Sequence, residues 1–307
     1  MPKMRCGVAA VEALRAAGVT KVFGLMGSST LEIYDALYDA KDMEYIGVRH
    51  ENCGMHMADA YGRMTQTPGL FLCGQAGPGS ANMVLGLAQA KLAYSPVVAI
   101  TGLPSTEHLG RDAFQEIDQH TLFLPVTKRV MTVPRPERIP EFILEAMRIA
   151  NSGRRGPVVV NIPRDLFNHD IDVEMPRAAS PQASIAPAAD RATLEKIRQM
   201  ILAAKAPVIH AGAGIKWARA SEKLVKLAEK LQIPITNSAG HADVVPCDHP
   251  LYAGGMGPRG NPVASTLMRE ADLVLALGTR LGFNTTFYKY NDISKTAKIV
   301  QVDIDPI

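Results

Sequence analysis

Cysteine, tryptophan and any dominant sign of charge are scarce in this sequence. Only four cysteines occur in 307 residues, Cys6, Cys53, Cys73 and Cys247, and they form no CxxC pair or His/Cys ligand cluster. That spacing excludes the common zinc frameworks and leaves thiols in a reducing compartment. The 33 basic and 30 acidic residues nearly cancel, and no block of like charge occurs. A nucleic-acid binder would cluster its Lys and Arg, so that class is set aside. No apolar run approaches the roughly 18 residues of a membrane span. The start, Met1 to Gly7, lacks the apolar core of a signal peptide. A cytoplasmic protein with no membrane or nucleic-acid partner is expected.

What the sequence does have is alternation. With 47% apolar residues over this length, the chain can bury two separate cores. Val8, Val11, Leu14 and Ala17 recur at helical spacing, and Gly18 ends that helix. Strand-like runs follow at 19–25, 45–48, 70–73, 97–101, 126–133 and 158–162. Helical stretches lie between them near 31–40, 53–64, after Gly79, and at 137–150. The run Val97 to Thr101 is continuously apolar, as in a strand covered on both faces. Glu174 to Asp190 is rich in Pro, Ala and Ser without period, which predicts a linker over 171–190. Residues 1–170 then form one domain and 191–307 a second, with strands at 207–211, 233–237, 273–277 and 299–302. Helices of that second part fall near 191–204, 218–231 and 262–270. The fold class is α/β, with two doubly wound parallel-sheet domains.

Three segments of the first half carry polar or glycine-rich chemistry. In Arg49-His50-Glu51, the carboxylate falls where a strand hands over to a helix, at the sheet edge where ligands bind. The same residue could simply complement a helix dipole. Gly74 to Asn82 contains Gly77-Pro78-Gly79, a turn that lets backbone approach a flat or anionic ligand, or a tight turn and nothing more. Gly110 to Asp118, with Phe114-Gln115-Glu116, is a polar stretch in a long connection, functional or disordered.

The order of these segments is more specific than any one of them. Phe23-Gly24 and Gly27 come first, then Arg-His-Glu, Gly-Pro-Gly-x-x-Asn and Phe-Gln-Glu. Gly156 to Pro163 (Gly-Pro-Val-x-Val-x-Ile-Pro) and Asp303-Ile304-Asp305-Pro306 complete the succession. Over essentially the whole chain it resembles the thiamine-diphosphate (ThDP) enzymes of the acetolactate synthase, pyruvate oxidase and sulfoacetaldehyde acetyltransferase group. The resemblance implies a ThDP pyrimidine-binding domain, a central Rossmann-like domain that often carries FAD or an ADP-like group, and a third domain holding diphosphate and Mg2+. It places Glu51 in the catalytic role. A carboxylate bonded to the aminopyrimidine favours the imino tautomer, whose nitrogen takes the thiazolium proton. It sets Gly77, Pro78 and Asn82 against the aminopyrimidine, and Phe114 and Gln115 on the substrate side. Gly27 and Ser28 fall at a turn abutting the cofactor across a dimer interface. His50 supports the loop, and His120 is either a substrate-side acid or a solvated side chain.

The implied activity is decarboxylation of a 2-oxo acid such as pyruvate and transfer of the two-carbon unit, acetolactate synthase-like, in a homodimer or homotetramer. Alternatives are a sulfoacetaldehyde acetyltransferase, a pyruvate oxidase-like enzyme or a non-catalytic nucleotide-binding module. Acetolactate synthases usually carry Tyr-Pro-Gly-Gly at the first turn, where Leu25-Met26-Gly27-Ser28 stands here, a departure towards the sulfoacetaldehyde branch. Gly212, Gly214 and Arg280 are candidate nucleotide contacts through backbone N–H groups and a guanidinium. The acidic pair that follows the Arg in many FAD-binding synthases is replaced by Leu281 to Asn284, so FAD stays open. A dehydrogenase is disfavoured because Trp217 occupies the third glycine position of GxGxxG. The third domain's Gly-Asp-Gly segment with a later Asn turn is not found, so Mg2+ ligands are expected elsewhere and this chain alone is expected to be inactive.

Overall fold

The computed structural model describes residues 3–172, 187–257, 259–286 and 291–305. The chain divides into two compact units, 1–185 and 186–307. The first opens with strand β1 (Lys3–Arg5), helix α1 (Cys6–Ala16), β2 (Lys21–Leu25), α2 (Leu31–Asp39), β3 (Glu44–Gly47) and α3 (Glu51–Thr65). β4 (Gly69–Cys73), α4 (Pro78–Ala81), α5 (Val84–Leu92), β5 (Val97–Leu103) and α6 (Gln119–Phe123) follow. β6 (Arg129–Thr132), α7 (Ile139–Asn151), β7 (Pro157–Pro163) and β8 (Asp170–Asp172) complete it.

Six of these strands make one parallel sheet in the order β3-β2-β4-β5-β7-β6. β4, β5 and β7 are buried at every residue, and the pleat deals their side chains alternately to two cores. Leu70, Leu72, Val98, Ile100, Val158 and Val160 face one way, against Leu14, Ile33 and Ile143 of α1, α2 and α7. Phe71, Cys73, Val97, Ala99 and Val159 face the other, against Met55, Ala58 and Leu87 of α3 and α5. The chain steps from β2 to β3 on one side and then to β4 on the other, so the strand order reverses between β2 and β4. Their carboxyl ends mark the crevice where open α/β sheets bind ligands.

The second unit runs α8 (Arg191–Ala203), β9 (Pro207–Ala211), α9 (Ala213–Trp217), α10 (Ser221–Leu231), β10 (Ile235–Asn237) and β11 (Tyr252–Gly255). α11 (Pro262–Glu270), β12 (Leu273–Leu277), α12 (Phe283–Thr286) and β13 (Lys298–Val302) follow. Its sheet is parallel in the order β11-β10-β9-β12-β13, with the reversal between β9 and β12. Ile209, Leu273 and Leu275 pack with Leu224 and Ala228 on one face. Val208, Val274 and Ala276 pack with Met268 on the other.

Several boundaries depart from the sequence reading. β1 pairs antiparallel with β8, Lys3 opposite Asp172, so the expected linker at 171–190 begins inside a strand. Residues 173–186 of that segment lie outside the described residues. The strand expected at 126–133 shortens to Arg129–Thr132 because Leu124–Val126 winds into a 3-10 turn around Pro125. The helix expected at 218–231 starts only at Ser221, as α10, because the chain turns at Arg219, with a positive φ of 51°, after the short α9 ends at Trp217.

Candidate functional site

Glu51 is the first residue of α3, directly after the cap residue His50, whose Nδ1 accepts from the Asn52 N–H at 3.2 Å. His50 therefore supports the helix start. The Glu51 side chain is buried to 7% exposure, an expensive place for a carboxylate without partners. Its partner is Asn82, whose Nδ2 donates to Oε2 at 2.9 Å. A methyl group added to Gly79 would lie 3.0 Å from Glu51 Oε1, so the Gly-Pro-Gly turn walls the carboxylate's other oxygen.

That turn is held from two sides. Gly77 takes φ +53°, a left-handed conformation, and a Cβ there would meet the Gln115 carbonyl oxygen at 2.1 Å. Only glycine fits both demands. Gln115, itself at φ +60°, is thereby seated against Gly77. The Gln75 side chain accepts from the Ser28 N–H at 3.3 Å and donates from Nε2 to the Gln115 side-chain oxygen. Gly27 packs onto the Gly74 carbonyl, 2.5 Å from where its Cβ would stand. The sequence-derived residues Gly27, Ser28, Glu51, Gly77, Pro78, Asn82 and Gln115 thus converge on the carboxyl ends of β2, β3 and β4. Phe114 sits beside them with its ring 83% exposed.

Residues 4–122 match the family described as "Thiamine pyrophosphate enzyme, N-terminal TPP binding domain", and residues 194–307 match "Thiamine pyrophosphate enzyme, central domain". The chain belongs to the thiamine pyrophosphate enzymes. It is 37% identical over 99% of its length to a probable acetolactate synthase large subunit of Methanocaldococcus jannaschii, covering 51% of that protein. It is 36% identical over its full length to the acetolactate synthase large subunit of Haemophilus influenzae, covering 54% of it. It is 38% identical over 96% of its length to a sulfoacetaldehyde acetyltransferase of Castellaniella defragrans, covering 49% of that chain. The chain spans about half the length of the curated relatives it matches.

Within this thiamine pyrophosphate enzyme chain, sequence reasoning missed two side chains that organise the turn, Gln75 and Gln119. Gln119 is 1% exposed; its Oε1 accepts from the Gly77 N–H at 2.9 Å and its Nε2 donates to Gly102 O at 3.2 Å. A lone polar residue at the start of a short helix gives no periodic signal. Only its position just past Phe-Gln-Glu pointed to it.

The central domain's turn is arranged otherwise. The N–H of Gly212 donates to Leu277 O and that of Gly214 to Gly278 O, each at 3.0 Å. Both groups thus have acceptors inside the fold. Arg280 lies exposed next to this turn. Beneath it, His210 is fully buried, with Nδ1 2.9 Å from Thr236 Oγ1 and Nε2 3.1 Å from Ser238 Oγ. Burial pushes its pKa down to about 4. Among the described residues no group of three or more His, Cys, Asp or Glu could hold a metal ion, and no helix could cross a membrane.

Proposed function

We propose that this chain supplies the pyrimidine-side half of the active site of a ThDP-dependent 2-oxo acid decarboxylase and carboligase, acetolactate synthase-like. Residues 1–170 act as the pyrimidine-binding domain and 191–307 as the central domain, joined through 171–190. The observation that carries the reading is Glu51, buried and oriented by Asn82 against the Gly77–Gly79 turn. A flat ring bearing nitrogens fits a carboxylate walled by glycine backbone.

ThDP, when bound, supplies the carbon nucleophile and electron sink for loss of carbon dioxide from the 2-oxo acid. Glu51 would give and take a proton at a nitrogen of the pyrimidine ring, as a general acid–base. Asn82 fixes the carboxylate, and Gln115 and Phe114 border the substrate. The reading assigns Mg2+ and diphosphate to a third domain, and the site is completed in a homodimer or homotetramer. FAD is not assigned to Gly212 and Gly214, because their N–H groups already have acceptors. A second reading, acetyl transfer on sulfoacetaldehyde, is favoured by the Leu25–Ser28 turn and by the 38% identical relative.

The complete enzyme, given ThDP and Mg2+, is assayed on pyruvate alone and on sulfoacetaldehyde with inorganic phosphate as the acetyl acceptor. Acetolactate from pyruvate supports the first reading. Consumption of sulfoacetaldehyde without pyruvate turnover supports the second, and turnover of neither sinks both.

A further inference from the structure

The geometry points to a second small-molecule site in the first unit, between the 109–120 loop and the ends of β5, β6 and β7. It would take a compound that carries both an ammonium group and a carbonyl oxygen. A cleft of about 570 Å³ opens there, lined by Leu103, Asp112, Glu116, Asp118, Gln119 and Asn161 among others. At its inner wall Asn161 is 1% exposed, and its Nδ2 has no hydrogen-bond partner. A buried amide donor left unpaired is costly, so a group that accepts from it is stabilised by that site.

Which way the Asn161 amide points is fixed by a chain of donors. The Gly77 backbone N–H can only donate, so the Gln119 oxygen must face it, at 2.9 Å. Gln119 Nε2 is then a donor, to Gly102 O at 3.2 Å and to Asn161 at 3.1 Å, so the Asn161 atom facing it must be the acceptor Oδ1. Asn161 Nδ2 is left as the unpaired end of the relay. A ligand oxygen there would lie three hydrogen bonds from the turn that walls Glu51.

The rim decides the ligand's charge. Asp112, Glu116 and Asp118 line the cleft, and N–H groups of Gly110 and Ala113 hold Glu116 below the usual carboxylate range. Three carboxylates repel an anionic 2-oxo acid and attract an ammonium group. The inner donor asks for an oxygen acceptor. The site stands whether or not the proposed function does, and only its link to Gly77 depends on that reading.

The test uses the 307-residue chain, isotope-labelled, with the Asn161 side-chain amide and Gly77 N–H followed by NMR. The probes are glycinamide (ammonium and carbonyl), acetamide (carbonyl only), methylammonium (ammonium only) and acetate. Glycinamide is expected to shift the Asn161 amide saturably, more tightly than either fragment, and to move Gly77 with it. Asp112 holds φ +56°, which asparagine adopts readily, so Asp112→Asn should keep the fold. It should weaken glycinamide on the order of threefold, the size of one exposed ion pair, and leave acetamide unchanged. Asn161→Asp keeps the acceptor for Gln119 and deletes the donor, and should abolish the acetamide response read at the Gly77 N–H. If no probe saturates at Asn161, or acetate matches glycinamide, the cleft holds water only and the proposal fails. None of these readouts involves ThDP, so that outcome leaves the proposed function untouched.

Discussion

In the first unit the glycine turn after β4 stands among Glu51, Gln75, Asn82 and Gln115, with Asn82 exposed and both glutamines partly so. In the second unit the turn after β9 closes on the turn after β12, with a Cβ on Gly214 falling 2.5 Å from Gly278 Cα. Under it His210, Thr236, Ser238 and Thr279 form a buried polar string, Ser238 Oγ 2.7 Å from Thr279 Oγ1. Both turns sit where the strand order reverses, and both are rich in glycine. Glycine in the first makes a wall for another side chain, and in the second it lets two loops touch. A motif read from letters alone cannot separate these uses, because what differs is where the backbone N–H groups and the neighbouring side chains end up.

The comparison can be broken most forcefully at Glu51. Glu51→Gln should lower turnover of the complete enzyme by about 10²–10⁴-fold while leaving the thermal melting of the first unit in place. Near-normal rates would mean the first turn is as inert as the second. Next in size is Gly278→Ala. Gly278 has φ +63° and a Cβ would meet Gly214 Cα at 2.6 Å, so about 3 kcal/mol of stability should be lost. Urea unfolding should show that loss in the second unit and spare the first. An unaffected midpoint would mean the two loops separate easily enough to admit a ligand.

His210 gives a pH test of the sealed core. Its folded pKa, about 4, lies below the ordinary 6.5, so the unfolded chain takes up the proton first. Stability of the second unit is therefore full above pH 6.5 and falls as pH drops towards 4, by about 3 kcal/mol in all. His210→Asn should flatten that slope, and a slope unchanged in the variant would assign it to other groups. The smallest effect is expected from Asn82→Ala, which removes a single hydrogen bond to the carboxylate and should cost about tenfold in turnover. Equal loss from Asn82→Ala and the similarly sized Asn82→Leu would argue that the hydrogen bond to Glu51, rather than simple packing, is what Asn82 provides, and recovery in Asn82→Leu would argue the reverse.

The α/β alternation was legible because β4, β5 and β7 are apolar runs of strand length set between helical periods. The Glu51 and Gly77 neighbourhoods were legible because their residues recur in a fixed order. Sheet order was not, since parallel strands far apart in sequence leave no local mark. β11 escaped notice because Tyr252-Ala253-Gly254-Gly255 reads as a turn. Gln75, Gln119 and Asn161 also escaped. Each acts through a single hydrogen-bond geometry that has no period and no motif. The nucleotide reading of Gly212 and Gly214 rested on residue type, and the acceptors of their N–H groups became known only with the fold.

The short ribbon of β1 and β8 sets the entrance and the exit of the first unit side by side, Arg5 opposite Asp170 and Lys3 opposite Asp172. Strands so paired stand only about 5 Å apart. A unit with adjoining ends can be lifted from one gene and set into another without disturbing its six-stranded sheet. It can equally be cut at an exposed turn such as Gly153, where nothing lies near the glycine, and rejoined across the ribbon. The antiparallel pair thus makes the domain a portable cassette, closed on itself like a clasp.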